Sequence, residues 1–184
     1  AIRPLKDGVI ADFEITEMML NYFIKKVHGK NFFFRPRILI CCPSNITQVE
    51  KNAIKEAAER TGAKRVFIGE EPKVAAIGAG LDISKPSGNM VIDIGGGTTD
   101  IAILSLGSIV KSSSLKIAGD AFDNDIIRYM KNKYKLLIGE RTAEEIKISI
   151  GTVLTDRVDK MEVKGRDLVT GLPHVITLTS KEVE

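Results

Sequence analysis

The residues best suited to chemistry form one glycine-rich run with an acid at each end. The run is Asp93-Ile94-Gly95-Gly96-Gly97-Thr98-Thr99-Asp100. Three consecutive glycines let the backbone approach an anionic group and direct several N–H donors at it, and the threonine hydroxyls add donors. A plain glycine hairpin is the alternative, but two glycines are enough for a tight turn. The run therefore predicts a phosphate-binding loop.

Two carboxylates are predicted at strand ends. Asp93 ends the strand that leads into the loop, where it could hold Mg²⁺ through water, as hard cations prefer. Glu71 stands at a strand-to-helix junction directly ahead of Pro72, where it would either cap the helix or face a shared cleft. For each acid alone, a solvated strand end or a simple cap is the alternative. As a pair they could bracket a magnesium-bound phosphate, one acid holding the metal and the other orienting water.

The elements that would position these residues alternate between helices and strands. Apolar spacing, capping boxes and proline positions predict a helix over 15–27, a strand over 37–42, a helix over 47–62, a strand over 65–68 and a helix from 71. The capping box of the second helix consists of Thr47 and Glu50. This alternation predicts an α/β sheet with parallel strand pairs.

The second half of the chain has a different pattern. Turn residues and apolar runs predict an antiparallel meander of three strands over 90–94, 99–105 and 109–117. Two helices should follow, the first capped by Asp120 and the second opened by a Thr142–Glu145 capping box. Short strands are predicted over 160–163 and 175–178. A linker composition over 82–89 suggests a boundary. We therefore assign residues 1–86 to a first lobe and residues 87–184 to a second. The second would comprise a core over 87–150 and a β-rich subdomain over 151–184.

Composition limits the class of protein. With 43% hydrophobic and 28% charged residues, the chain can form a packed core. Its formal net charge of +3 is not gathered in blocks, so no nucleic-acid partner is expected. Cys41 and Cys42 are adjacent, which excludes a disulfide scaffold, and two distant histidines do not complete a zinc site. No apolar run reaches the length of a membrane span, and no signal-peptide pattern is present.

Several segments resemble, in order and spacing, the bacterial actin MreB and its close paralogues. They cover residues 69–80, 93–100, 118–123 and 138–147. The glycine-rich loop alone fits the wider superfamily of actins, heat-shock chaperone ATPases and sugar kinases, whereas residues 139–147 and 165–173 look specifically MreB-like. Lys73 departs from the family pattern, in which methionine is usual at this position beside Glu71.

The resemblance implies an α/β, actin-like (ribonuclease H-like) ATPase fold with two lobes that bind ATP and Mg²⁺. This chain would be a central piece of it, incomplete at both termini, because a first phosphate loop and a glycine pair near the adenine have no counterpart in it. By matching positions, Glu71 would orient the attacking water and Asp93 would hold magnesium. Residues 95–99 would then form the second phosphate loop.

Three further residues are implied at the nucleotide. Gly119 would lie near it, and Glu144 and Lys147 would approach the ribose and base. Helical spacing independently places Glu144 and Lys147 on one face, three residues apart. An exposed ion pair between them is the alternative interpretation.

Three consecutive aromatics form the other unusual feature. Phe32, Phe33 and Phe34 lie in a predicted loop among lysines and arginines. An apolar tip with a basic surround fits insertion into an anionic membrane, and the alternative is a strand entry whose aromatics reach the core. MreB-like proteins have an apolar membrane-contacting loop at the matching place, which favours insertion.

These expectations define a first functional hypothesis. It is an ATP-binding, filament-forming cytoskeletal protein, cytoplasmic and membrane-associated, that organises cell-wall synthesis and rod cell shape. Its implied partners are further copies of itself, the cytoplasmic face of the membrane, and cell-wall synthesis and cell-shape proteins. The full-length protein would hydrolyse ATP slowly, and the isolated fragment is expected to be inactive. The alternative is a non-filament ATPase of the actin, heat-shock chaperone and sugar kinase superfamily.

Overall fold

The computed structural model describes residues 4–6, 9–28, 35–154, 156 and 158–184. The chain divides into two compact units, Ala1–Ala118 and Gly119–Glu184. This division differs from the boundary that the sequence suggested between residues 86 and 87. The assignment of residues 1–86 and 87–184 to the lobes of an actin-like protein stays a prediction.

The first unit contains three groups of paired strands. Its elements are β1 (Leu5–Lys6), β2 (Val9–Ile10), α1 (Phe13–His28), β3 (Arg37–Cys42), α2 (Gln48–Arg60), β4 (Arg65–Glu70), α3 (Glu71–Gly78), β5 (Asn89–Ile94), β6 (Thr99–Ser105) and β7 (Ser108–Leu115). Strands β3 and β4 are parallel and are joined through α2, whereas β5, β6 and β7 form an antiparallel meander. Both the parallel pair and the meander were predicted.

Helix α2 begins where the capping box predicted it. The backbone N–H of Glu50 donates to Thr47 Oγ1 at 3.2 Å, and the N–H of Thr47 donates to Glu50 Oε2 at 2.7 Å. Each bond satisfies an N–H group that has no partner within the helix. The apolar face of α2 buries Ile54, Ala57 and Ala58. The capping box therefore fixes the start of the helix, and these apolar residues fix its orientation.

The second unit combines two helices with an antiparallel sheet. Its elements are α4 (Gly119–Tyr134), β8 (Leu136–Leu137), α5 (Glu140–Ile150), β9 (Lys160–Asp167), β10 (Pro173–Thr179) and a 3₁₀ turn (Ser180–Glu182). The strand order is β10-β9-β8. The core of this unit consists of Met130, Leu136, Ile138, Ala143, Ile146, Ile150, Val163 and Leu178.

Both predicted helix starts in this unit were wrong. Helix α4 already includes Asp120 in its first turn, so Asp120 does not precede it as a cap. Helix α5 begins at Glu140, and the N-cap is Gly139 without a side-chain bond. The predicted Thr142–Glu145 capping box does not form, because Thr142 lies inside the helix and Glu145 pairs with Arg141 at 3.1 Å.

Gly165 lets β9 pack closely against β8. A Cβ atom at this position would lie 2.7 Å from both Leu136 Cγ and Leu137 O. No real side chain tolerates such contacts with a backbone oxygen. A glycine is therefore required here for packing.

Glu182 ties the 3₁₀ turn to the end of α4. Its carboxylate accepts hydrogen bonds from Lys133 Nζ at 2.6 Å and from the hydroxyl of Tyr134, and also from the backbone N–H of Thr179 at 3.0 Å. Burial on its own would raise the pKa of Glu182, but the donors around it lower that pKa to about 2. We call this arrangement the Glu182 cluster.

Apolar side chains remain exposed on one face of β5, where Met90, Ile92 and Ile94 alternate with more buried residues. Within the part of the chain described, the helices are all too short or too polar to traverse a lipid bilayer.

Candidate functional site

The predicted phosphate loop connects β5 to β6. The backbone N–H of Gly95 donates to Thr98 O at 2.9 Å, which closes a tight turn. None of the three glycines has a positive φ, so backbone conformation alone does not demand glycine. Gly95 and Gly96 are exposed. The absence of side chains therefore leaves the loop backbone open to close approach, as the phosphate interpretation requires.

The two threonines of the loop have different surroundings. Thr98 is buried, whereas Thr99 begins β6 and its hydroxyl donates to Ile117 O at 2.7 Å. The hydroxyl proton of Thr99 is thus engaged within the chain.

The acids at the two ends of the loop are cross-strand partners. Asp93 on β5 pairs directly with Asp100 on β6 in the antiparallel register, so their side chains lie on the same face of the sheet. Asp100 is buried, and its Oδ1 accepts a hydrogen bond from the N–H of Ser44, after β3, at 3.2 Å. Like charges directly opposite each other destabilise a sheet, so this pair is a feature that packing alone does not explain.

Glu71 does not cap its helix. The N-cap of α3 is Glu70, whose side chain makes no capping bond, and Glu71 is the first helical residue. The capping interpretation of Glu71 is therefore wrong, because the preceding residue occupies that position. Lys73, the departure from the family pattern, lies 3.8 Å from Glu70 and so pairs with the neighbour of Glu71.

Glu71 lies in a negative environment. Burial raises its pKa, and the charges of Asp100 and Asp93 raise it further. Residues from α3, β5 and β6 are thus brought together as the pairing of Glu71 with Asp93 predicted. Asp100 is a third member that sequence reasoning treated only as a flanking acid. We call these three residues the acid site.

The acid site contains Asp93, which was predicted to hold magnesium through water. Within the described residues, no group of three or more histidine, cysteine or acidic side chains is arranged to hold a metal ion. Carboxylates that repel one another nevertheless favour a cation among them. Magnesium commonly keeps several water ligands, and this donor set suits that behaviour.

A second set of predicted residues comes together within the Gly119–Glu184 unit. Lys147 Nζ on α5 lies 3.2 Å from the carbonyl oxygen of Gly119, the first residue of α4. The same ammonium group lies 3.0 Å from Asp123 Oδ2. Gly119 and Lys147 were predicted separately, whereas Asp123 was not singled out. Glu144 is exposed on α5, and the ion pair of Lys147 is with Asp123 instead.

Phe32, Phe33 and Phe34 lie outside the described residues, and their membrane role stays a prediction. The end of α1, which precedes them, is described. Tyr22, Phe23 and Val27 are exposed there, and Lys26 Nζ lies 5.8 Å from the centre of the Tyr22 ring. The chain that leads into the phenylalanines therefore already has an apolar and basic surface.

A family model described as MreB/Mbl protein matches residues 1–184. The chain belongs to the MreB/Mbl family. It is 68% identical to the cell shape-determining protein Mbl of Bacillus cereus over 184 residues, which is 100% of this chain and 55% of that protein. It is 54% identical to the cell shape-determining protein MreB of Escherichia coli over 185 residues, which is 100% of this chain and 53% of that protein. The chain thus spans about half the length of these relatives.

Two solved structures share the fold of this chain. MreB5 of Spiroplasma citri bound to ADP superposes with a TM-score of 0.92 at 43% identity, over 99% of this chain and 55% of that one. The MamK double helical filament gives a TM-score of 0.78 at 22% identity, over 98% and 55%, and it supports the fold alone. The predicted α/β, actin-like fold is confirmed.

Proposed function

We propose that this chain is part of an ATP-binding, filament-forming cytoskeletal protein that organises cell-wall synthesis and rod cell shape. Membership of the MreB/Mbl family and relatives described as cell shape-determining support this role. Solved MreB5 structures bound to ADP and to AMPPNP support nucleotide binding. The observation that carries the proposal is the acid site beside an open glycine-rich loop.

The acid site and the loop would act on the phosphates. The loop of residues 95–99 would bind phosphate oxygens through backbone N–H groups other than that of Gly95, which donates to Thr98 O, and Asp93 would hold magnesium through water. When bound, magnesium neutralises charge on the phosphates. Glu71 would orient the attacking water, and its raised pKa brings it closer to the pKa of an effective base at neutral pH. We expect slow hydrolysis of ATP by the full-length protein.

Residues of the second unit would contact the rest of the nucleotide. We place Gly119 near the nucleotide and assign Glu144 and Lys147 to the ribose and base. Contact between Gly119 and Lys147 supports this assignment, since the two were predicted from separate segments and lie within hydrogen-bond distance. In this proposal the protein polymerises with copies of itself and works with cell-wall synthesis and cell-shape proteins in the cytoplasm.

Sedimentation of the full-length protein with increasing ATP tests this function. We expect ATP to bind and to promote pelleting, and Gly96→Ala to weaken ATP binding at least about tenfold, because a Cβ would intrude where the loop meets phosphate. Gly88→Ala is the matched control, since a Cβ there would meet only Ile103 at 4.0 Å. Pelleting without any response to ATP, or equal behaviour of the two variants, would contradict the proposal.

We also propose that Phe32, Phe33 and Phe34 insert into the cytoplasmic face of the membrane. Exposed Tyr22, Phe23 and Val27, with Lys25 and Lys26 beside them, support this, because apolar and basic side chains together favour anionic lipid.

A double substitution tests membrane insertion. Phe33→Ser with Phe34→Ser should weaken binding to anionic liposomes by about tenfold or more per residue, since each buried phenylalanine contributes roughly 1.5–3 kcal/mol. Val169→Ser with Leu172→Ser is the control, because both residues are exposed in the connection between β9 and β10. Retained liposome binding with a strongly lowered melting temperature would instead place the phenylalanines in the core.

A further inference from the structure

The polar contact between α4 and α5 has an unusual composition. Lys147 Nζ donates to Gly119 O at 3.2 Å and to Asp123 Oδ2 at 3.0 Å. Asp123 Oδ1 is buried and lies 2.9 Å from the same nitrogen. The ammonium group therefore contacts both oxygens of the Asp123 carboxylate.

The ion pair between Lys147 and Asp123 is much less exposed than a second ion pair of α5. The side chains of Arg141 and Glu145 are 92% and 52% exposed, whereas those of Lys147 and Asp123 are 27% and 13% exposed. Exposed pairs contribute little to stability. An ion pair that is largely removed from water must recover the cost of desolvating both charges, so stability alone is a weak explanation for it.

The donors of Lys147 supply a further explanation. An ammonium group carries three N–H donors, and Gly119 and Asp123 take two of them. The Lys147 side chain is 27% exposed, so a further N–H can reach a ligand, and because its two partners already hold the side chain, binding loses less side-chain entropy. Because the carboxylate offsets the positive charge, this donor suits a neutral acceptor such as a hydroxyl or a ring nitrogen better than a phosphate.

We propose that Asp123 is a positioning residue that holds Lys147 for the neutral, nucleoside part of a bound nucleotide. This inference rests on the proposed function, in which Lys147 approaches the ribose and base. Asp123 acts through Lys147 and does not itself touch the ligand, since its second oxygen is buried. Loss of Asp123 should therefore affect recognition of the nucleoside and leave recognition of the phosphates unchanged.

Two ligands separate these contributions in the full-length protein. Asp123→Asn should weaken ATP binding about tenfold, the size expected for one charge-assisted hydrogen bond, and should leave the affinity for inorganic tripolyphosphate within about twofold. Glu145→Gln, which removes a carboxylate paired with an exposed cation on α5, should change neither affinity. Asp123→Glu should recover part of the loss in ATP affinity.

A double-mutant cycle provides the second measurement. Lys147→Met should weaken ATP binding to a similar extent, and adding Asp123→Asn should cause little further loss, because both changes remove the same interaction. Fully additive losses, or an equal loss of ATP and tripolyphosphate affinity in Asp123→Asn, would overturn the inference. If the unaltered protein did not bind ATP at all, the proposed function would fail, and this inference with it.

Discussion

Carboxylates have opposite environments in the two units of this chain. In the first, Glu71 lies near Asp93 and Asp100, and burial together with those charges raises its pKa. In the second, Glu182 is surrounded by donors, including Lys133 and Tyr134, which lower its pKa to about 2 despite burial. The charged form of Glu182 is therefore stabilised, whereas the charged form of Glu71 is destabilised.

This difference separates structural from functional acids. The Glu182 cluster satisfies its own charge, so it needs no ligand and holds the 3₁₀ turn against α4. The acid site leaves repulsion unbalanced, and perturbed carboxyl groups of this kind are concentrated at functional sites. Substitutions in the two places should therefore affect different properties of the protein.

The largest expected effect concerns hydrolysis. Glu71→Gln in the full-length protein should slow phosphate release from ATP by about a hundredfold or more, since a positioned base contributes at least that much. ATP affinity should change little, because orientation of water contributes mainly to the transition state. Glu70→Gln is the matched control, because Glu70 is adjacent and pairs with Lys73. If both variants hydrolysed ATP equally slowly, the role assigned to Glu71 would be wrong.

A smaller effect is expected on stability. Glu182→Gln should lower the free energy of unfolding of the full-length protein by roughly 1.5–3 kcal/mol, the contribution typical of hydrogen bonds to a charged group. Chemical denaturation measures this loss. Glu145→Gln should cost only about 0.3–0.5 kcal/mol, because its pair with Arg141 is exposed. If the two variants lose similar stability, the Glu182 cluster does not stabilise the fold more than an exposed ion pair does.

The smallest effect is the pH dependence, and its sign differs between the sites. The pKa of Glu182 is lowered from 4.5 to about 2, so its stabilisation is present above pH 4.5 and disappears as the pH falls towards 2. The pKa of Glu71 is raised from 4.5, so its contribution is present below pH 4.5 and is lost as the pH rises through the raised value.

Stability measured at two pH values tests this. At pH 7, Glu71→Gln should stabilise the protein, because burial and the charges of Asp100 and Asp93 disfavour the charged form of Glu71, whereas Glu182→Gln should destabilise it. At pH 3 the effect of Glu71→Gln should vanish, because the unaltered side chain is then neutral. A stabilisation by Glu71→Gln that persists at pH 3 would show that the charge of Glu71 is not its cause.

Local sequence signals predicted much of the fold. The Thr47–Glu50 capping box, the parallel pair β3 and β4, and the meander all depend on neighbouring residues and regular spacing, and all were confirmed. The Thr142–Glu145 box has the same local pattern, but α5 extends one turn further towards its N-terminus. A capping pattern shows where a helix could begin, and packing decides whether it does.

The missed site residues depend on contacts distant in sequence. Asp100 joins the acid site because strand register places it opposite Asp93 and near Glu71. Asp123 joins Lys147 because α4 packs on α5. A signal existed for Asp123, which lies four residues after Gly119 and so on the same helical face, but its partner is 24 residues further along the chain.

In the proposed function, the opposition of Asp93 and Asp100 would also make the folding equilibrium a reporter of magnesium binding. A cation that binds only the folded protein adds to its stability, by about 2.7 kcal/mol when its concentration is a hundred times its dissociation constant. Repulsion between two facing carboxylates is relieved by that same ion. A melting curve of the full-length protein recorded with increasing magnesium would then follow occupancy of the acid site without any nucleotide or turnover.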